Sequence, residues 1–178
     1  MAHERFKNWT LEVPLSHSGI EFSLGKLDAY KEELLEKIDI FTERMAKLGV
    51  EFAMERLLDY DAIDTWALFG SLDVRKGDAV FAGSKWIIFT DNFYAQYVEF
   101  GTGPVGAKHP HPSGKGKYRS TPWAFQPVPK NWKGAIIRHK GEEYAFTAGM
   151  PARPFMWDTW EHLKQEKTVK QVAKEVFG

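Results

Sequence analysis

The chain has 178 residues, enough for one domain of ordinary size, and its 24 Lys and Arg balance 24 Asp and Glu, so no net field exists to gather nucleic acid or an anionic membrane. Cysteine is absent, which excludes disulfides, thiolate metal sites and cysteine nucleophiles. With 43% hydrophobic residues, among them seven Trp and thirteen Phe, there is material for a core, yet no stretch approaches the roughly 20 apolar residues of a membrane span.

Residues 1–23 carry scattered aromatics, Pro14 and Gly19 without a sustained period and read as an irregular arm, with no apolar run behind a basic start. A product made in the cytoplasm, and soluble, is therefore expected. From residue 24 onward the chain reads as a single α+β domain. Leu27, Tyr30, Leu34, Ile38, Phe41, Met45, Leu48 and Phe52 recur at steps of three and four, which predicts a long amphipathic helix reaching about Asp59, with Gly49 as a weak point. Leu72–Val74, Ala79–Ala82 and Lys85–Thr90 are short β-type runs separated by Lys76-Gly77-Asp78 and Gly83-Ser84, an antiparallel meander. Phe93 to Phe100 returns to helical spacing, and Gly101 is placed to end that helix.

Residues 103–134 hold six prolines together with Lys, Arg and His, and predict a long exposed loop. Ala135–His139 and Glu142–Thr147 flank Lys140-Gly141 as a second hairpin. Gly149 to Pro154 is a turn, after which Met156, Trp160, Leu163, Val169, Val172, Ala173 and Val176 trace one face of a closing helix. The expected architecture is a long N-terminal helix and a C-terminal helix packed on a small antiparallel sheet.

Few residues suggest chemistry. His109-Pro110-His111-Pro112 is the one histidine cluster, and a His-x-His pair can offer two imidazoles to a metal, but a third and fourth ligand are not evident. Glu99 with Asp91, or Glu142 with Glu143, would be paired carboxylates, yet no nucleophile or phosphate loop accompanies them. Ser71, Ser84, Ser113 and Ser120 sit in no nucleophile elbow, and Gly101-Thr102-Gly103 is too short to cradle a phosphate. The expectation is a non-enzyme with no catalytic residue, cofactor or metal. Lys108, Lys115, Lys117, Arg119, Lys130 and Lys133 share the long loop with Tyr118, Trp123 and Trp132, a pattern that serves either a nucleic-acid contact or a solvated loop with aromatic anchors. Of these, Lys115, Lys117, Arg119, Trp123 and Trp132 form the candidate contact loop. The other aromatics belong mainly to the core, with a share left for a protein partner.

Three segments carry a family resemblance. Asp64-Thr65-Trp66-Ala67-Leu68-Phe69-Gly70-Ser71-Leu72, Tyr94-Ala95-Gln96-Tyr97-Val98-Glu99-Phe100-Gly101-Thr102-Gly103 and Gly149-Met150-Pro151-Ala152-Arg153-Pro154-Phe155-Met156 resemble, in order, segments of the tail-completion (neck) protein family of long-tailed bacteriophages, which includes the minor tail protein Z group. The second match is the most specific. Trp66 departs from the pattern, standing where the family has glycine, and the 103–134 loop is longer than the family's minimal form.

The resemblance implies a structural virion protein at the head-proximal end of the tail, enabling head–tail joining. It further implies a six-fold ring of copies, other tail and neck proteins as partners, and DNA nearby in the neck channel. A tail terminator, a head-closure protein, or a metal-dependent hydrolase built on His109, His111 and a carboxylate are the alternatives. On this reading Asp64, Thr65, Leu68, Tyr94, Tyr97, Glu99, Phe100, Gly101, Gly103, Arg153, Pro154 and Phe155 are scaffold and interface residues. Glu99 is expected to accept hydrogen bonds from nearby backbone or from Arg153, and Asp64 is a second candidate partner for Arg153.

Overall fold

A computed structural model describes residues 16–62, 66–78, 83–130 and 132–178. The fold is α+β, with a long N-terminal helix, C-terminal helices and two small antiparallel sheets. Contacts divide it into two compact units. The first comprises the described residues of Met1–Val50, Asp73–Phe89 and His162–Gly178, and the second those of Glu51–Leu72 and Thr90–Glu161.

Helix α1 spans His17–Asp59, beginning ten residues before the periodic pattern does. Ser16 explains the early start, because its side-chain oxygen accepts the Gly19 N–H at 3.1 Å and its carbonyl accepts the Ile20 N–H at 2.9 Å, satisfying donors that the first turn leaves unpaired. The expected arm therefore loses residues 17–23 to helix, while 1–15 lie outside the described residues. Gly49 is buried within α1 and does not interrupt it.

In the first unit β1 (Asp73–Lys76) pairs antiparallel with β2 (Trp86–Phe89), Asp73 opposite Phe89 and Lys76 opposite Trp86. The middle run of the expected meander, 79–82, falls outside the described residues. The closing helix is two helices, α5 (Phe155–Leu163) and α6 (Glu166–Phe177), because Gln165 takes an extended ψ of 133° between them. The apolar side of α6 buries Val172, and its Phe177 ring lies 5.9 Å from Phe41 of α1, while Arg44 and Glu175 pair at 3.2 Å on the rim.

Asp39 ties α1 to the β1–β2 hairpin. Its carboxylate accepts from Lys76 Nζ at 2.6 Å, from the Trp86 indole N–H at 3.0 Å and from the Ser84 hydroxyl. The Lys76 hydrogen bond first, then those of Ser84 and Trp86, hold the Asp39 carboxyl down at about 2.

The second unit holds α2 (Ala67–Gly70), α3 (Ala95–Phe100), α4 (Gly103–Lys108) and a three-stranded sheet of β3 (Trp123–Phe125), β4 (Ile136–His139) and β5 (Glu142–Thr147). The strand order is β3-β5-β4, with β5 central. Lys140 and Gly141 both have positive φ, 50° and 85°, as a two-residue turn between twisted strands demands. Leu57, Leu68, Val98, Ala145 and Phe155 are buried here, and each large apolar side chain so buried contributes about 1.5–3 kcal/mol.

The 103–134 segment is the expected exposed loop only in part: 109–122 and 126–130 carry no helix or strand and are mostly exposed. It begins as α4 with Pro104 in its first turn, includes β3 paired to β5, and buries Gly103, Gly106 and His111. Proline in a first helical turn costs nothing, since the missing N–H would be unpaired there anyway. Pro104 is therefore compatible with helix, while Pro110, Pro112, Pro122, Pro127 and Pro129 stand in irregular backbone, as the proline count predicts.

Candidate functional site

The described residues that carry the resemblance converge in the second unit. Helix α3 ends at Gly101, whose φ of 73° is open to glycine, and a Cβ there would lie 2.5 Å from the Ala152 nitrogen. Backbone pairing across this close approach is tight: Arg153 N–H donates to the Val98 carbonyl at 2.9 Å, and Thr102 N–H to that of Met150 at 2.9 Å. The segment around Tyr94–Gly103 and the segment around Gly149–Met156 are thus locked together. The first segment joins them through Leu68, buried in α2, whose N–H donates to the Tyr94 hydroxyl at 3.2 Å.

At the junction lies Glu99, 8% exposed. One carboxylate oxygen accepts the Met156 N–H at 2.9 Å, and the other accepts the Trp157 N–H at 3.0 Å. These are first-turn donors of α5, so Glu99, 57 and 58 residues away from them in sequence, caps that helix and meets the positive end of its dipole. Pro154 and Phe155, both buried, seat the start of α5 against this carboxylate.

His111 supplies the third donor. Its Nε2 lies 3.0 Å from the Glu99 oxygen that also holds Trp157, and its Nδ1 accepts the Ser113 N–H at 3.1 Å with the Ser113 hydroxyl 2.7 Å away. With Nδ1 accepting, the network assigns the proton to Nε2, a neutral imidazole donating to a carboxylate. The ring is 3% exposed, 4.6 Å from the Phe100 ring and edge-on to Trp157 at 5.5 Å, and the Tyr118 hydroxyl accepts the His111 N–H at 3.1 Å. A buried carboxylate with three good donors avoids most of its desolvation cost.

Of the two partners expected for Glu99, the backbone is the one realised, and the pairing with Arg153 is not formed among the described residues. The carboxylate's acceptor sites face α5 and His111, and Arg153 enters the junction through its backbone. Asp64 and Thr65 lie outside the described residues. His109 is exposed while His111 is buried with both ring nitrogens engaged, so the two imidazoles do not converge. No group of three or more potential ligands able to hold a metal occurs among the described residues.

Tyr97 and Phe100 divide in role, Tyr97 being 46% exposed on α3 and Phe100 half-buried against His111. In the candidate contact loop, Lys115, Lys117 and Arg119 are exposed, but the aromatics serve the fold. Trp123 is half-buried in β3 with the Arg119 guanidinium 5.3 Å over its ring, and Trp132 packs edge-on to Phe125 at 5.4 Å while its indole N–H donates to the Ala135 carbonyl. The sequence offers His111 as a metal candidate, Ser113 as a hydroxyl in no nucleophile elbow and Tyr118 as a loop aromatic, but does not place them, or Trp157, at this junction. The only signal for them was that His111 is fixed between two prolines.

Comparison with family models, with curated proteins and with solved structures finds no match for the chain. No helix among the described residues is long and apolar enough to cross a membrane.

Proposed function

We propose that the chain is a structural protein of a long-tailed bacteriophage virion, acting in tail completion at the head-proximal end of the tail. The observation that carries this reading is the meeting of the second and third resembling segments at Glu99, with the described part of the first joined to them through Leu68 and Tyr94. Residues that lie far apart in sequence, and that the resemblance picks out together, serve one another: Glu99 caps α5, Gly101 admits the Ala152 backbone, and Tyr94 anchors α2. Both carboxylate oxygens of Glu99 hold backbone N–H groups of α5, and one of them also holds the His111 ring, an arrangement that suits a scaffold.

In this reading copies of the chain form a six-fold ring that contacts other tail and neck proteins. Phe93, Trp66, Tyr97 and Trp160 of the second unit are 78%, 60%, 46% and 61% exposed, and large exposed aromatics are the residues that interface centres favour. The exposed cations Lys115, Lys117 and Arg119 would face the DNA path. The test is immunolabelling or mass spectrometry of purified particles, in which the chain is expected at the head-proximal end of the tail. Its absence from particles overturns the reading.

A further inference from the structure

Helix α1 carries a second pattern, independent of the junction. Ile20, Leu27, Leu34, Phe41 and Leu48 follow one another at steps of seven, and so do Leu24, Lys31, Ile38, Met45 and Phe52. Taken together the two rows alternate at four and three residues, the seam of a two-stranded coiled coil, in which the second set occupies the a positions and the first the d positions. Over its later turns this seam is half-buried, with α6 against Phe41. Over its first turns it is open: Ile20, Leu24, Leu27 and Leu34 are 46%, 55%, 48% and 37% exposed.

We propose that this open stretch, Ile20 to Ile38, pairs with the same stretch of a second copy of the chain as an antiparallel helix pair. A seven-residue repeat is matched by a helix with the same repeat, and a second copy presents one. The orientation follows from the one charged seam residue. Parallel pairing sets Lys31 against Lys31 of the other copy in the same layer, two like charges facing across an apolar seam. Antiparallel pairing in one register places Leu24 opposite Leu34, Leu27 opposite Lys31 and Ile20 opposite Ile38, each once in each direction. In that register Lys31 stands one residue in height from Asp28 of the other copy on the same flank, so two opposite-charge pairs replace one like-charge layer.

The paired segment is 19 residues, about 28 Å long. The pairing is two-fold and stands apart from the six-fold ring of the tail reading: it concerns how free copies associate.

The test uses the full chain in sedimentation equilibrium across micromolar concentrations. Wild type is expected to be a dimer, and Leu24→Glu, at a site exposed in the single chain, is expected to weaken association by at least about tenfold with an unchanged far-UV spectrum. Because the chain has no cysteine, Leu24→Cys and Leu34→Cys report orientation without background. Chains of the two kinds are expected to cross-link when mixed under oxidising conditions, and neither kind with itself. A monomeric wild type, a dimer that Leu24→Glu leaves intact, or self-cross-linking of Leu24→Cys overturns the proposal. A monomer that is nonetheless retained in particles would overturn this pairing and leave the tail reading standing.

Discussion

The Glu99 carboxylate and the His111 imidazole meet at 3.0 Å in the interior of the second unit, and the same carboxylate caps the first turn of α5. Removing the carboxylate strands three donors at once. Glu99→Ala is expected to cost on the order of 3 kcal/mol in unfolding free energy. Glu99→Gln, which keeps an acceptor for α5 but turns an N–H toward His111 or toward the helix, is expected to cost roughly half of that. Urea denaturation followed by tryptophan fluorescence would check the order; equal stability of wild type and Glu99→Ala would show that the cap contributes nothing.

The two histidines of His109-Pro110-His111-Pro112 should separate in mutation. His111→Ala opens a cavity between Phe100 and Trp157 and removes a donor from a buried carboxylate, and is expected to lower stability by about 2–4 kcal/mol. His109→Ala, at an exposed position, should stay within about 0.5 kcal/mol of wild type. Comparable losses from both would mean that the pair acts together after all.

Glycines divide in the same way. At Gly101, φ is 73° and a Cβ would meet the Ala152 nitrogen at 2.5 Å, so Gly101→Ala is expected to destabilise by about 2 kcal/mol or more. Gly25 lies inside α1 with open space around it, and Gly25→Ala is expected to stabilise by about 0.5–1 kcal/mol. Thermal melts of the two variants should move in opposite directions.

Trp66 adopts φ 60° and ψ −4°, left-handed backbone that glycine enters freely, at the position where the resembling family has glycine. Its ring is 60% exposed and edge-on to Phe69 at 5.4 Å. Trp66→Gly trades that ring contact for relief of strain and should change stability by less than about 1 kcal/mol. Trp66→Val places a β-branched residue there and should cost about 1–2 kcal/mol more. The reverse order of the two variants would exclude a left-handed Trp66.

Acid stability should depend on Asp39. The Lys76 hydrogen bond, with those of Ser84 and Trp86, lowers its folded value to about 2 from an ordinary 3.8. A depressed folded value stabilises the fold above the unfolded value, and that contribution is lost as pH falls from about 3.8 toward 2. Denaturation midpoints taken across this window should fall less steeply for Asp39→Asn than for wild type. Tyr60 gives the opposite sign: burial and its hydrogen bond to Asp158 raise it to about 12, so its contribution fades as pH rises from 10 toward that value.

Periodicity made α1, the β4–β5 hairpin and the α3–Gly101 boundary legible, because each depends on local spacing or on a single special backbone position. The start of α1 was not legible, since Pro14 and Gly19 are breaker signals in the sequence and the two apolar residues Ile20 and Leu24 are too few to mark a helix on their own, while the Ser16 cap shows only in the fold. Within 103–134, α4 and β3 were not legible, because proline marks both loops and first helical turns and because β3 is defined only by its pairing with β5, some twenty residues on. Glu99 could be singled out by resemblance and by its carboxylate. Its partners could not, because Met156 and Trp157 offer backbone N–H groups that no side-chain pattern reveals, and His111 reaches it only once α4 has turned the chain back.

The most direct test of the proposed tail-completion role is to delete or replace the gene in a phage that carries it and inspect the particles. The account predicts filled heads and separate tails that fail to join, with joining restored when the wild-type chain is supplied and the chain then found at the head-proximal end of the tail. Normal joined particles formed without the chain would contradict it.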